Sequence, residues 1–244
     1  MDFRVDVFVS ALTSRALLQG VQVTIALTIV AMIFGLALGL VVALMRDHSN
    51  PVLRGIALAY VWLFRAIPTL VLVLMTWFAL PQLFPVLKED WFNQFVAASL
   101  ALSVNEAAYA AEIIRGGLLS VDEGQRVAAR ALGLSPTKVF TKVIAPQVVR
   151  VTIPPLSNDV ITMLKITSLA AFISLREVLS LTQSAVSLDF RFAERYTAAA
   201  VYYIVIVSIL MVGQAWIERR FRWISQRAGG RSAGELVRQL APMR

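Results

Sequence analysis

The sequence predicts an all-α integral membrane protein, a single domain with five transmembrane helices. Three observations predict it. Only 16% of the 244 residues are charged and the mean hydropathy is +0.73, whereas soluble domains carry about 25% charged residues. Five apolar runs are long enough to cross a hydrocarbon core, which takes about 20 residues. The basic residues gather between those runs, mostly on one alternating set of connections.

The first span is Val21–Leu44, an unbroken apolar run. Its Gly35-Leu-Ala-Leu-Gly39 is a small-xxx-small match, a pattern that apolar segments often produce by chance. The second, Gly55–Leu80, is interrupted by Arg65 and Pro68. Proline removes a donor from the helical ladder, so this break either lets backbone line a cavity or is a kink beside a snorkelling arginine. The third, Phe95–Leu119, is the most polar, and Asn105, Tyr109, Glu112 and Gly116 share one face of it. The fourth is expected at Leu156–Leu179, after a breaker at Pro154-Pro155, with Asn158, Thr162 and Lys165 on one stripe. Thr197–Ile217 is the fifth. An ionisable residue inside a span costs about 2.5–3.5 kcal/mol on insertion scales, so such stripes face protein or water and mark pathways. Glu112 has a plainer alternative, pairing with Arg115 or backbone to lock the helices together.

With the N-terminus outside, the inner connections and tail hold fifteen Lys/Arg and the outer ones six. That asymmetry predicts an external N-terminus and a cytoplasmic C-terminus, with residues 221–244 as a cytoplasmic basic tail near anionic headgroups. The net charge of +8 therefore has a topological cause, and no nucleic-acid partner is expected. No short apolar stretch with a small-residue cleavage site opens the chain, so a removable signal peptide is not expected.

The stretch EGQRVAARALGLSP, Glu123–Pro136, falls in the cytoplasmic connection between spans three and four. Ser120 with Glu123 fits a capping box, Gly133 a left-handed C-terminal cap, and Ser135-Pro136 the start of another helix. At about 100° per residue, Val127, Ala131 and Leu134 share a face opposite Asp122, Gln125 and Arg126. Ala128 and Ala129 offer a small-residue surface for close docking. A short amphipathic helix is expected, lying either on lipid or against another protein.

Catalytic chemistry has no foothold. His48, the only histidine, lies in the first cytoplasmic connection, and the chain has no cysteine. There is no G-x-S-x-G and no phosphate-cradling G-x-x-x-x-G-K-[ST], and the residue types that hold metals do not cluster.

AYAAEIIRGGLLSVDEGQRVAARALGLSPTKVFTKVIAPQ (Ala108–Gln147) resembles the cytoplasmic-loop signature of type I ABC importer permeases, in their polar amino acid branch. So do LLQGVQVTIALTIV (Leu17–Val30), FRAIPTLVLVL (Phe64–Leu74) and PPLSNDVITMLKITSL (Pro154–Leu169), and the likeness runs over the core, residues 15–220. The resemblance implies the type I importer fold, with the loop helix, about residues 121–133, acting as the coupling helix seated on a cytoplasmic ABC ATPase. Glu123, Gly124, Gln125, Arg126, Val127, Ala128, Ala129, Leu132 and Gly133 would then couple to the ATPase. Arg65, Pro68, Glu106, Tyr109, Glu112, Asn158, Thr162, Lys165, Thr167 and Ser168 would line or gate the path.

It further implies a multi-pass subunit of the bacterial cytoplasmic (inner) membrane that imports a polar amino acid or a derivative. Its partners would be an ATPase dimer, a second permease subunit (identical or paralogous), an external solute-binding protein on the outer connections Pro81–Gln94 and Ser180–Arg195, and membrane lipid. ATP and Mg would sit on the ATPase, with no cofactor and no metal in this chain. Two departures stand out: Val127 replaces the family's acidic residue, with Glu123 one turn earlier, and Ile166 replaces an often acidic residue after the lysine. The alternative is a channel or ion-gradient carrier without an ATPase. Secondary carriers commonly show repeated halves, and none is visible here.

Overall fold

The computed structural model describes residues 3–221; the expected basic tail lies outside them apart from Phe221. The described residues are helical throughout their main elements. Helix α1 (Val5–Leu12) precedes α2 (Arg15–Arg46), followed by α3 (Pro51–Ala66), α4 (Thr69–Leu74) and α5 (Leu80–Leu83). Then come α6 (Gln94–Leu119), α7 (Glu123–Ala131), α8 (Pro136–Val139), α9 (Ala145–Ile166), α10 (Val178–Asp189) and α11 (Phe192–Phe221). Among the described residues, three continuous helical stretches are long and apolar enough to cross a membrane: α2, the run Pro136–Ile173 and α11. The bent pair α3 with Thr69–Leu83 makes a fourth.

Helix α6 falls short of that hydropathy because it sits in the middle rather than against lipid. Asn93 caps it, its side chain accepting from Phe95 N at 3.0 Å and Val96 N at 3.1 Å. Its alanines, among them Ala97, Ala101, Ala107 and Ala111, are buried. Small residues let α2 approach to backbone distance. A Cβ added at Gly35 would stand 2.7 Å from Glu106 Cβ, and one at Gly39 would stand 2.7 Å from Ala110 Cβ and 3.0 Å from Ala107 O. The small-xxx-small match is thus the seam of the α2–α6 pair, the most extensive helix contact in the fold. The main core gathers around it: Leu27, Ala31, Met32, Val73, Leu102 and Met163.

Prolines shape the rest. Ile67 is extended ahead of Pro68, and the chain turns by 101° between α3 and α4. Wide π-turns at Met75–Ala79 and Phe140–Ile144 each precede a proline, Pro81 and Pro146. Leu80 N–H and Ala145 N–H bond carbonyls five residues back. Pro154 and Pro155 do not break the fourth span as expected: α9 runs through both, from Ala145 to Ile166. Membrane helices tolerate interior proline because neighbouring groups take up the freed carbonyls.

The expected outer connection Ser180–Arg195 is also largely helical. Glu177, fully buried, caps α10 by accepting from Leu179 N at 2.9 Å and Ser180 N at 2.7 Å, and Tyr203 donates to it from α11 at 3.0 Å. Arg195 closes the far end with two bonds to Asp189, at 3.1 and 2.7 Å, which hold that carboxyl below the ordinary carboxylate range. Helix α1, invisible to periodicity, is tied to α11 through Arg4 N to Glu194 Oε1 (2.9 Å) and Tyr202 Oη to Leu12 O (2.6 Å).

Candidate functional site

The loop helix forms as α7, with different ends from those expected. Asp122, not Ser120, is its N-cap, accepting from Gly124 N at 2.6 Å. Ser120 keeps helical torsions as the C-cap of α6 and donates to Gly117 O at 2.7 Å, so the Ser120–Glu123 capping box does not form. At the other end Gly133 has φ of +76°. Gly133 N reaches Arg130 O at 2.9 Å and Leu134 N reaches Ala129 O at 3.2 Å. These are the paired bonds of a Schellman cap, and Ser135-Pro136 opens α8 beyond it.

Two side-chain bonds fasten α7 to the spans on either side. Arg126 Nη2 donates to Leu118 O at 3.2 Å, a carbonyl in the unsatisfied last turn of α6. Gln147 Nε2, on α9, donates to Gln125 Oε1 at 2.5 Å and to Val143 O at 2.8 Å. Leu118, Val121, Ala129, Val139, Ile144 and Val148 form a separate small core beneath, with Leu134 against it. Ala129 is therefore 5% exposed and faces its own chain rather than offering a docking surface. The outward face carries Val127 at 57% and Leu132 at 82%, with Ala128, Ala131, Glu123 and Gly124 also exposed. This is a knob seated on two spans, whose free side carries the apolar patch Val127, Ala128, Ala131 and Leu132 among exposed polar residues such as Glu123 and Arg130.

A second cluster joins three helices. Arg46, at the end of α2, is ion-paired with Glu112 of α6, and Arg65 Nη1 lies 3.8 Å from the same carboxylate. The Arg65 guanidinium also stands 5.3 Å over the Tyr109 ring. So Glu112 pairs with Arg46 and Arg65, and not with Arg115 as the plainer alternative held. Sequence reasoning missed Arg46, because an arginine at the end of a span looks like any positive-inside flank. Asn105, 4% exposed, braces the break at Pro68: Nδ2 donates to Phe64 O at 2.8 Å, and Oδ1 accepts from Thr69 Oγ1 at 3.1 Å. Phe64 O is the carbonyl that an N–H at position 68 would have served.

On α9, Asn158 and Lys165 are exposed, and Thr162 Oγ1 bonds Asn158 O at 3.2 Å, so the expected stripe is an open polar face. Ser168 Oγ bonds Lys165 O at 2.7 Å beside it. Thr167 and Glu106 lie elsewhere: Thr167 is fully buried with its hydroxyl on Leu164 O at 2.6 Å, and Glu106 is buried between α2 and α9. No group of three or more His, Cys, Asp or Glu that could hold a metal occurs among the described residues.

Residues 35–223 match the family described as the binding-protein-dependent transport system inner membrane component. The chain belongs to this family. The permease is 40% identical over 212 residues to the arginine transport system permease protein ArgU of Corynebacterium glutamicum, across 81% of its own length and 66% of that protein's. It thus spans just under two thirds of that relative. Over 206 residues it is 34% identical to the glutamine transport system permease protein GlnP of Escherichia coli (strain K12), covering 84% of the permease and 93% of GlnP. A solved structure of an amino acid ABC transporter with histidines aligns with a TM-score of 0.79 and 31% identity, over 90% of the permease and 99% of that chain. The fold is that of a type I ABC importer permease, and the gradient-driven carrier alternative finds no support. The permease is a multi-pass membrane subunit of an ABC importer, and its family implies an ATPase and a substrate-binding protein as partners.

Proposed function

We propose that the permease moves a polar amino acid or an amino-acid-derived solute inward, driven by a separate ATPase dimer that grips α7. The observation that carries this is the seating of α7: fixed by Arg126 and Gln147 to α6 and α9, it presents Val127, Ala128, Ala131 and Leu132 outward from a polar connection. An exposed apolar knob on a charged surface marks a protein contact. The amino acid names of the relatives support the substrate class.

In this reading α6 is the third of five crossings, with the N-terminus outside and the C-terminus inside, in keeping with the Lys/Arg asymmetry. A second permease copy or paralogue faces the open polar side of α9, where Asn158, Thr162 and Lys165 line the path. The Arg65–Tyr109–Glu112 cluster stands at a gate, and the binding protein docks outside. ATP closes the ATPase dimer, α7 carries α6 and α9 with it, and the interface switches as rigid bodies. Glu123, exposed in the first turn of α7, offers the ATPase an acidic group where Val127 cannot.

The test is uptake by proteoliposomes holding the permease, its ATPase and binding protein, and the second permease subunit if the two differ. Uptake should require ATP and ignore ion gradients. Leu132→Glu should leave the permease folded while uptake and ATPase co-purification fall. Uptake following an ion gradient without ATP would reject the proposal.

A further inference from the structure

We propose that Glu106 is a proton-binding site, its carboxyl held as the neutral acid in the seam between α2, α6 and α9. Glu106 is 5% exposed, and its Oε1 has no hydrogen-bond partner. The α2 backbone lies directly against its stem, because a Cβ at Gly35 would stand 2.7 Å from both Glu106 Cβ and Cγ.

The ionisable groups around it offer no counter-charge. Helix α2 has none between Arg15 and Arg46, and Arg46 is committed to Glu112. Neither α4 nor the 3-10 segment Thr167–Ile173 carries one. Arg65 of α3 is placed on Tyr109 and Glu112, and Lys165 of α9 is exposed. The group on α9 whose charge reaches Glu106 is Asp159, a second carboxylate whose buried Oδ2 also lacks a partner. Burying one unpaired carboxylate ion costs so much that the group neutralises instead, and two facing carboxylates do not both ionise. A proton taken from water balances the site: one O–H bond forms on Glu106, and the pair carries at most one negative charge.

Position gives this proton a role. The seam joins α6 and α9, the two helices to which α7 is fastened, so any motion delivered through α7 works on it. A proton held only while the seam is closed stabilises that conformation as any ligand does. The inference depends on where Glu106 sits and not on the substrate or on ATPase docking, so failure of the uptake test above would leave it standing.

The test is infrared spectroscopy of the full-length permease, purified with its co-purifying subunits. The wild-type minus E106Q difference spectrum should show the carbonyl stretch of a protonated carboxylic acid, shifting in D2O. E106Q should melt within about 3 °C of wild type, since it is a neutral isostere, whereas E106A should melt lower. Absence of that band from the difference spectrum overturns the proposal. So does E106Q melting as low as E106A, which would mean that the anion is required. Stabilisation of wild type by sodium, lost in E106Q, would assign the site to a metal cation and overturn it as well.

Discussion

Removing the brace at the break in the second span should separate fold stability from the rest of the site. Asn105→Ala deletes the donor to Phe64 O (2.8 Å) and the acceptor of Thr69 Oγ1 (3.1 Å). Neither has a replacement nearby. Pro68 has no N–H for Phe64 O, and Thr69 opens α4 beyond a 101° bend, away from the carbonyls of α3. In dry surroundings an orphaned polar group costs about 1–3 kcal/mol. Interhelical hydrogen bonds in membranes measure about 0.6 kcal/mol on average and about 1.7 at most, because the unfolded chain finds other partners. A carbonyl stranded at a proline sits at the upper end of that range, so the two losses together come to about 2 kcal/mol. For a chain of this size that is a fall of about 4–8 °C in the thermal midpoint of the detergent-purified protein. Pro68→Ala should not recover the fall in Asn105→Ala, because Ile67 is extended and an N–H at position 68 points away from Phe64 O. If Asn105→Ala melts like wild type, Asn105 is not the brace.

Gly39→Leu drives a side chain into the Ala107 carbonyl and Ala110, backbone that cannot yield, and should cost about 1–3 kcal/mol in a melting assay. Gly213→Leu, with nothing within 4 Å, should not. Gly133→Ala meets no neighbour either, but forces a left-handed torsion at about 1–2 kcal/mol; it should loosen the end of α7 and lower the uptake obtained per ATP hydrolysed, with Gly133→Asn milder. Arg195 holds Asp189 below the ordinary carboxylate range, so the pair stabilises the fold at neutral pH and loses that contribution as pH falls through the folded-state value. The midpoint difference between wild type and Asp189→Asn should therefore shrink below about pH 4.

The spans and the loop helix were legible in the sequence because lipid imposes a length and because caps have a chemistry. Gly133 and Ser135-Pro136 punctuate α7 as expected. What failed were inferences that give a residue one local meaning. Pro154-Pro155 looked like a breaker, yet α9 runs through it. Ser120 and Asp122 are both competent caps, and only the backbone decides between them: Ser120 stays helical while Asp122 is extended. Ala128 and Ala129 are identical in type and adjacent, yet one faces out and the other into the small core. Helical phase can be read from sequence; which phase faces a neighbour depends on where α8 and α9 return.

The polar residues of α6 carry the same lesson further. Asn105, Tyr109 and Glu112 share the stripe expected to face protein or water, and the resemblance places Glu106 with Tyr109 and Glu112 at the path or gate. Structure gives them three environments: a carbonyl freed by Pro68 for Asn105, an apolar seam for Glu106, and for Tyr109 and Glu112 a shared cluster with Arg65, which Arg46 joins at Glu112. Each environment is set by residues at least forty positions away in sequence, Phe64, Gly35, Arg65 and Arg46. The cost of a polar group in lipid says that a partner must exist, not where along the chain it lies. In this helix the partners bind α2 and α3 to α6, and the latches at Leu118 and Gln147 bind α7 to α6 and α9. A push on the outer face of α7 therefore meets a connected frame of helices rather than a loose connection, which is what rigid-body switching by an outside motor requires.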